Sequence, residues 1–180
     1  MTEDDRRELA AVAAAFRMPR YRELPDIGLR LEQVTRYVAR YAPGPLTGSM
    51  VSNYVKQRLI PGPSKKAYSQ ESIAYLLILS YIKTVMSLED IRLMEEVQLR
   101  SYDIAVAYDY FCDEFENMLG AAFGIAPARE GLGETKSDAK DLLRNTISAT
   151  VNKVYLDRFL EEYQRRREKE SPGAQQKSRK

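Results

Sequence analysis

The sequence predicts an all-α fold: a winged helix-turn-helix near the front, with additional helices before and after it. Three observations predict it. Apolar residues recur at three- and four-residue spacing between Pro/Gly punctuation along nearly the whole chain. Residues 46–94 then set out, in order, a capped helix with a polar face, a Pro-Gly-Pro turn, a lysine pair, a nearly all-apolar helix and a second capped helix. Strand-like alternation is absent, and residues 60–68 are long enough only for a small hairpin-like wing.

The first helix is expected over 4–17, with Leu9, Val12 and Phe16 on one face. Pro19 and Pro25 bracket a connector. A second helix spans 29–41, where Leu31, Val34 and Val38 form a stripe, and Pro43-Gly44-Pro45 stops it. Thr47 or Ser49 caps a third helix that runs to Leu59, and Pro61-Gly62-Pro63 ends it. Ser69 caps a helix over 70–85 that is apolar all round, so several neighbours must bury it. Ser87 caps the next, with Asp90 in the capping-box position and Leu88, Ile91 and Met94 inside. A helix over 101–122 carries Ile104, Tyr108, Phe111 and Phe115 on one side. After a Gly/Pro loop at 124–134, Ser137 or Asp138 opens a long helix to 168, and a polar basic tail closes the sequence. This divides the chain into an N-terminal helix (1–20), a winged helix-turn-helix module (21–100), a helical C-terminal region for dimerisation or effector binding (101–170) and a disordered tail (171–180).

Composition excludes several functions. Of the 180 residues none is histidine, which removes the usual general base near neutral pH and the commonest neutral metal ligand. One cysteine, Cys112, permits no intrachain disulfide and no Cys/His metal pattern, and burial as a small hydrophobe suits it better than redox sensing. No apolar run approaches the roughly 18–20 residues that span a bilayer, and the N-terminus is acidic rather than a secretory signal. The expectation is a cytoplasmic protein without a cofactor, a membrane partner or catalytic activity.

The net charge of +2 hides a partition. Residues 20–68 carry nine Lys/Arg against three Asp/Glu, residues 86–134 three against eleven, and residues 135–180 twelve against seven. A basic front suits a polyanion. Within that front, a helical wheel of 48–59 puts Met50, Val51, Tyr54, Val55 and Leu59 on one side. Ser49, Ser52, Asn53 and Lys56 fall on the other, with Gln57 flanking. Base reading in a major groove needs such short donors and acceptors plus a cation. Any exposed helix face is polar, so the context carries the argument. Lys65 and Lys66 stand at the wing tip, and Arg36 on the preceding helix faces the same task of neutralising phosphates or simply keeping the surface soluble.

The same residues carry a resemblance. VSNYVKQRLIPGP, AYSQESIAYLLILSYIKTVMSLEDIRLM and their order resemble the MerR family of bacterial regulators. The chain is more similar still to an uncharacterised MerR-like family, domain of unknown function 1836, in which LPDIxL, LTxxMVxNYxKxxLIPxP and YSxExI recur. Here LPDIGL, LTGSMVSNYVKQRLIPGP and YSQESI stand in those places, over about residues 24–100. The resemblance implies a winged helix-turn-helix and a transcriptional regulator. The chain departs from MerR proteins at Ser52-Asn53, where an Arg-Tyr pair is usual, at Arg58, where glycine is usual, and in its shorter wing.

Double-stranded DNA is therefore the expected partner, bound as a homodimer through helices of the second half. Tyr108, Phe111 and Phe115 form an aromatic cluster that serves either as core or as a pocket for a small-molecule effector, with Asp103, Asp109, Asp113 and Glu114 adding charge. The alternative is a helical protein-interaction module that keeps the helix-turn-helix as scaffold and binds a basic partner through its acidic helices.

Overall fold

A computed structural model of the chain describes residues 3–99, 102–129 and 137–170. Within them are α1 (Glu3–Ala15), α2 (Leu31–Val38), α3 (Gly48–Lys56), α4 (Gln70–Ile82), α5 (Leu88–Leu99), α6 (Ile104–Ala122) and α7 (Asp138–Glu170), plus one turn of 3-10 helix at Tyr21–Glu23. Among the described residues, extended pairing is confined to two isolated antiparallel bridges, Leu29–Tyr68 and Ser64–Ala67. The fold is all-α.

Side-chain caps begin α3 to α6. The Thr47 hydroxyl accepts from the Met50 N–H at 3.2 Å, Ser69 from Ser72 at 3.2 Å and Ser87 from Asp90 at 3.1 Å. Asp103 opens α6 by accepting from the Ala105 N–H at 2.8 Å. α4 is the axis of the molecule. Nine of its thirteen residues are buried, and α2, α6 and α7 pack around it. Its even apolar coat is what a helix enclosed on all sides requires. A single cluster of buried side chains runs from Val34 and Val38 of α2 through Val51 and Tyr54 of α3, Ile73, Leu76 and Leu77 of α4, to Phe111 and Phe115 of α6 and Ile147 and Val151 of α7.

Several boundaries differ from the sequence reading. α2 starts at Leu31 because Leu29 is extended and paired with Tyr68. α4 ends at Ile82, where Thr84, Val85 and Met86 turn back onto Tyr81 and Ile82. The expected inner face of α1 is not buried. No α1 residue is fully enclosed and Val12 is 62% exposed, because the helix lies across a cavity. Much of the expected loop at 124–134 and the tail at 171–180 lie outside the described residues. No helix among the described residues is long and apolar enough to cross a membrane.

Candidate nucleic-acid interface

The α3 helix divides as its sequence predicts. Val51 and Tyr54 are buried, while Ser49, Ser52, Asn53, Lys56 and Gln57 are exposed. Local hydrogen bonds shape this face. Ser52 donates its hydroxyl back to the Gly48 carbonyl at 2.9 Å, which leaves its oxygen free to accept. The Ser49 and Thr47 hydroxyls lie 2.9 Å apart. The Asn53 carbonyl oxygen accepts from the Gln57 amide at 3.2 Å, so Asn53 presents its NH2 outward and Gln57 extends the polar surface by one turn. Arg36, in the last turn of α2, is exposed.

The chain leaves α3 through a Schellman turn. The Leu59 N–H donates to the Tyr54 carbonyl at 2.9 Å and the Arg58 N–H to the Val55 carbonyl at 3.0 Å. The residue between cap and exit, Arg58, must then be left-handed, and its φ is +60°. Glycine takes this position without steric cost, whereas arginine does not.

A second left-handed site follows. Ser64 and Ala67 exchange both backbone hydrogen bonds at 2.9 Å, closing a two-residue hairpin whose central residues are Lys65 and Lys66. Their φ angles are +48° and +67°, the pattern of a type I′ turn, which favours Asn-Gly. Among the described residues, the non-glycine positions with positive φ are Arg58, Lys65 and Lys66. All three are exposed cations, Arg58 at the exit of α3 and Lys65 and Lys66 at the tip of the hairpin.

The hairpin is anchored at its base. Leu29 and Tyr68 exchange backbone hydrogen bonds at 3.0 and 2.8 Å, which ties it to the entry of α2. Gly28 lies so close that an added Cβ would meet the Ala67 Cβ at 2.7 Å. The Ser72 hydroxyl donates to the Pro61 carbonyl at 3.1 Å, fixing the exit of α3 to the first turn of α4.

The sequence pattern of this anchored front has a counterpart among known families: the model of the family described as Domain of unknown function (DUF1836) matches residues 19–111, more than half of the chain. The chain belongs to this family. No curated protein and no solved structure matches it. The DUF1836 segment holds α2 to α5, the hairpin and the first part of α6, and leaves α1, the rest of α6 and α7 outside it.

The aromatic residues at the end of the DUF1836 segment are core. Tyr108 and Phe111 are fully buried, and Phe111 stacks on Phe115 at 5.7 Å between ring centroids. The Tyr108 hydroxyl donates to the Pro19 carbonyl at 2.9 Å. The expected effector pocket formed by Tyr108, Phe111 and Phe115 is thus filled by its own rings. Only Phe115 of the three lines the cavity beneath α1. The acidic neighbours are engaged too. Asp109 accepts from the Tyr21 N–H at 2.7 Å, Asp113 pairs with Arg20 at 2.8 Å, and Glu114, 1% exposed, pairs with Arg144 at 2.9 Å. Burial pushes the Cys112 thiol up to about 12, so it stays protonated at neutral pH and serves packing. Arg58, which the sequence marks only as a departure from the MerR pattern, joins the candidate interface, and Gln57 flanks the polar face as expected. The signal for Arg58 was present: an arginine where a helix exit wants glycine.

Proposed function

We propose that this chain is a sequence-specific DNA-binding transcriptional regulator. In this reading α2, the following turn and α3 act as a helix-turn-helix, and the 64–67 hairpin acts as a minimal wing. The observation that carries it is the coincidence of backbone strain with positive charge. A left-handed conformation costs a non-glycine residue about 1–2 kcal/mol. Glycine or asparagine would relieve each of the three sites, and each holds a cation instead. Strain of this kind persists where the side chain has work to perform, and three exposed cations within ten residues of a polar helix suit a phosphate backbone.

On this reading Ser49, Ser52, Asn53 and Lys56 face base edges, and Arg36, Arg58, Lys65 and Lys66 hold phosphates. A homodimer would repeat the contact across a two-fold axis. Leu156, Leu160 and Tyr163, exposed at successive turns of α7, supply an apolar face for it. The test is selection of genomic fragments by the purified protein, followed by titration of the selected duplex at several salt concentrations. The expected result is affinity that falls steeply with salt. Lys65→Ala reduces the salt slope by about 1, and Asn53→Ala erases preference at one base position, worth about 1–3 kcal/mol. Affinity indifferent to salt, or equal loss on all sequences from Asn53→Ala, would count against it. A monomer by light scattering at high concentration removes the dimer.

One observation favours a second reading, a protein-interaction module. α5 exposes Leu93 and Val97 among Glu89, Asp90 and Glu96. A basic, partly apolar helix would fit that surface. Lack of any duplex binding would move this reading to the front.

A further inference from the structure

A cavity of about 250 Å³ lies beneath α1. For comparison, an engineered cavity of about 150 Å³ takes up benzene. The floor is aromatic and aliphatic: Tyr81 of α4, Phe115 and Leu119 of α6, Phe123 just beyond it, and Val154 of α7. The roof is α1, which buries no side chain completely and leaves Val12 exposed at the opening. Arg166 holds Asp5 at 3.1 Å, so α1 is fastened to α7 near one end while the cavity beneath it stays open.

The charges at the rim are unequal in their engagement. Asp157 receives Lys153 at 2.6 Å and Glu161 receives Arg158 at 3.2 Å. Arg40, also at the rim, has no ion pair among the described residues. The cavity therefore offers an apolar floor and one uncompensated cation at its mouth. We infer that it binds a small amphiphilic carboxylate, with the hydrocarbon on Phe115, Leu119 and Phe123 and the carboxylate on the Arg40 guanidinium. A fork of guanidinium donors matches a carboxylate in shape and charge. Such a ligand would touch the turn that follows α2, at Arg40 to Pro43. Tyr41 and Tyr81 both line the cavity, and the Tyr81 hydroxyl donates to the Tyr41 carbonyl.

The site is independent of DNA binding, and the test contains no DNA. Decanoate, decan-1-ol and decylamine are titrated into the full chain by calorimetry, below their micellar concentrations. Decanoate should bind one per chain and raise the melting temperature, with decanol about tenfold weaker for want of the charge-assisted hydrogen bonds. Arg40→Gln, at an exposed position, should weaken decanoate about tenfold and leave decanol unchanged. Val12→Trp, also at an exposed position, should obstruct the mouth and weaken both. Decylamine binding as tightly as decanoate, an unchanged decanoate affinity in Arg40→Gln, or no binding of any probe would overturn the proposal.

Discussion

Arg20 and Glu116 meet in a two-pronged ion pair: Nη1 and Nη2 of the guanidinium donate to separate carboxylate oxygens, both at 3.0 Å. The same carboxylate accepts the Met18 N–H at 2.8 Å, and Asp113 takes a second share of the guanidinium at 2.8 Å. This joint clamps the connector after α1 to the outer half of α6, beyond the segment that defines the family. Glu116→Gln should cost about 1.5–3 kcal/mol in urea unfolding, the range for a hydrogen bond to a charged partner. Arg20→Lys should lose nearly as much, since an ammonium cannot reproduce the fork. An unchanged midpoint in both variants would show that the joint contributes nothing.

The strained hairpin separates stability from binding. Replacing Lys65-Lys66 by Asn-Gly supplies the residues a type I′ turn favours. The double variant should unfold at a higher temperature, by roughly 2–4 kcal/mol of added stability at about 1–2 kcal/mol for each relieved residue. It should also bind duplex more weakly and with a smaller salt slope. Arg58→Gly should shift both properties in the same directions. A variant that gained stability and kept full duplex affinity would sever the link between strain and function.

Gly28 tests the close approach of hairpin and α2 entry. Its missing Cβ is the space that the Ala67 Cβ occupies. Gly28→Ala should destabilise by about 1–3 kcal/mol through overpacking. Ala67→Gly added to it should recover part of that loss, and a double-mutant cycle reads the coupling. Additive effects would mean that the two positions relax apart.

Glu95 makes stability depend on pH. Burial lifts its carboxyl from 4.5 to about 8. It lines an apolar cavity with Tyr75 and Tyr102 on one side, and a groove with Arg58 and Glu71 on the other. The folded chain holds a proton that the unfolded chain has released, so this group's contribution declines as pH rises through that window. Glu95→Gln should match the parent near pH 4 and melt higher than it near pH 9, by about 2–4 °C for each kcal/mol relieved. Parallel pH profiles for the two proteins would show Glu95 to be ordinary.

The local signals in the sequence were sufficient for the helices. Serine and threonine caps at 47, 69 and 87 and the unbroken apolar coat of α4 act within a few residues, and the structure keeps them. The division of α3 into a buried and an exposed face was equally legible, because it rests on periodicity alone. Long-range pairings were not legible. Nothing near Leu29 announces Tyr68, and nothing in the acidic run of α6 shows that Asp109, Asp113 and Glu116 are engaged by residues 18–21. The aromatic cluster was ambiguous for the same reason: whether rings enclose a space or fill it depends on what packs from other helices. Positive φ was hidden at Lys65 and Lys66, since lysine carries no local preference for it, and at Arg58 only the helix-exit position hinted at it.

The Leu29–Tyr68 bridge makes a single plate of the hairpin and the entry to α2. A duplex seated on this plate would meet two contacts whose spacing the bridge sets. The deformation would then fall on the nucleic acid, and steps that kink or twist readily would be preferred at positions no side chain reaches.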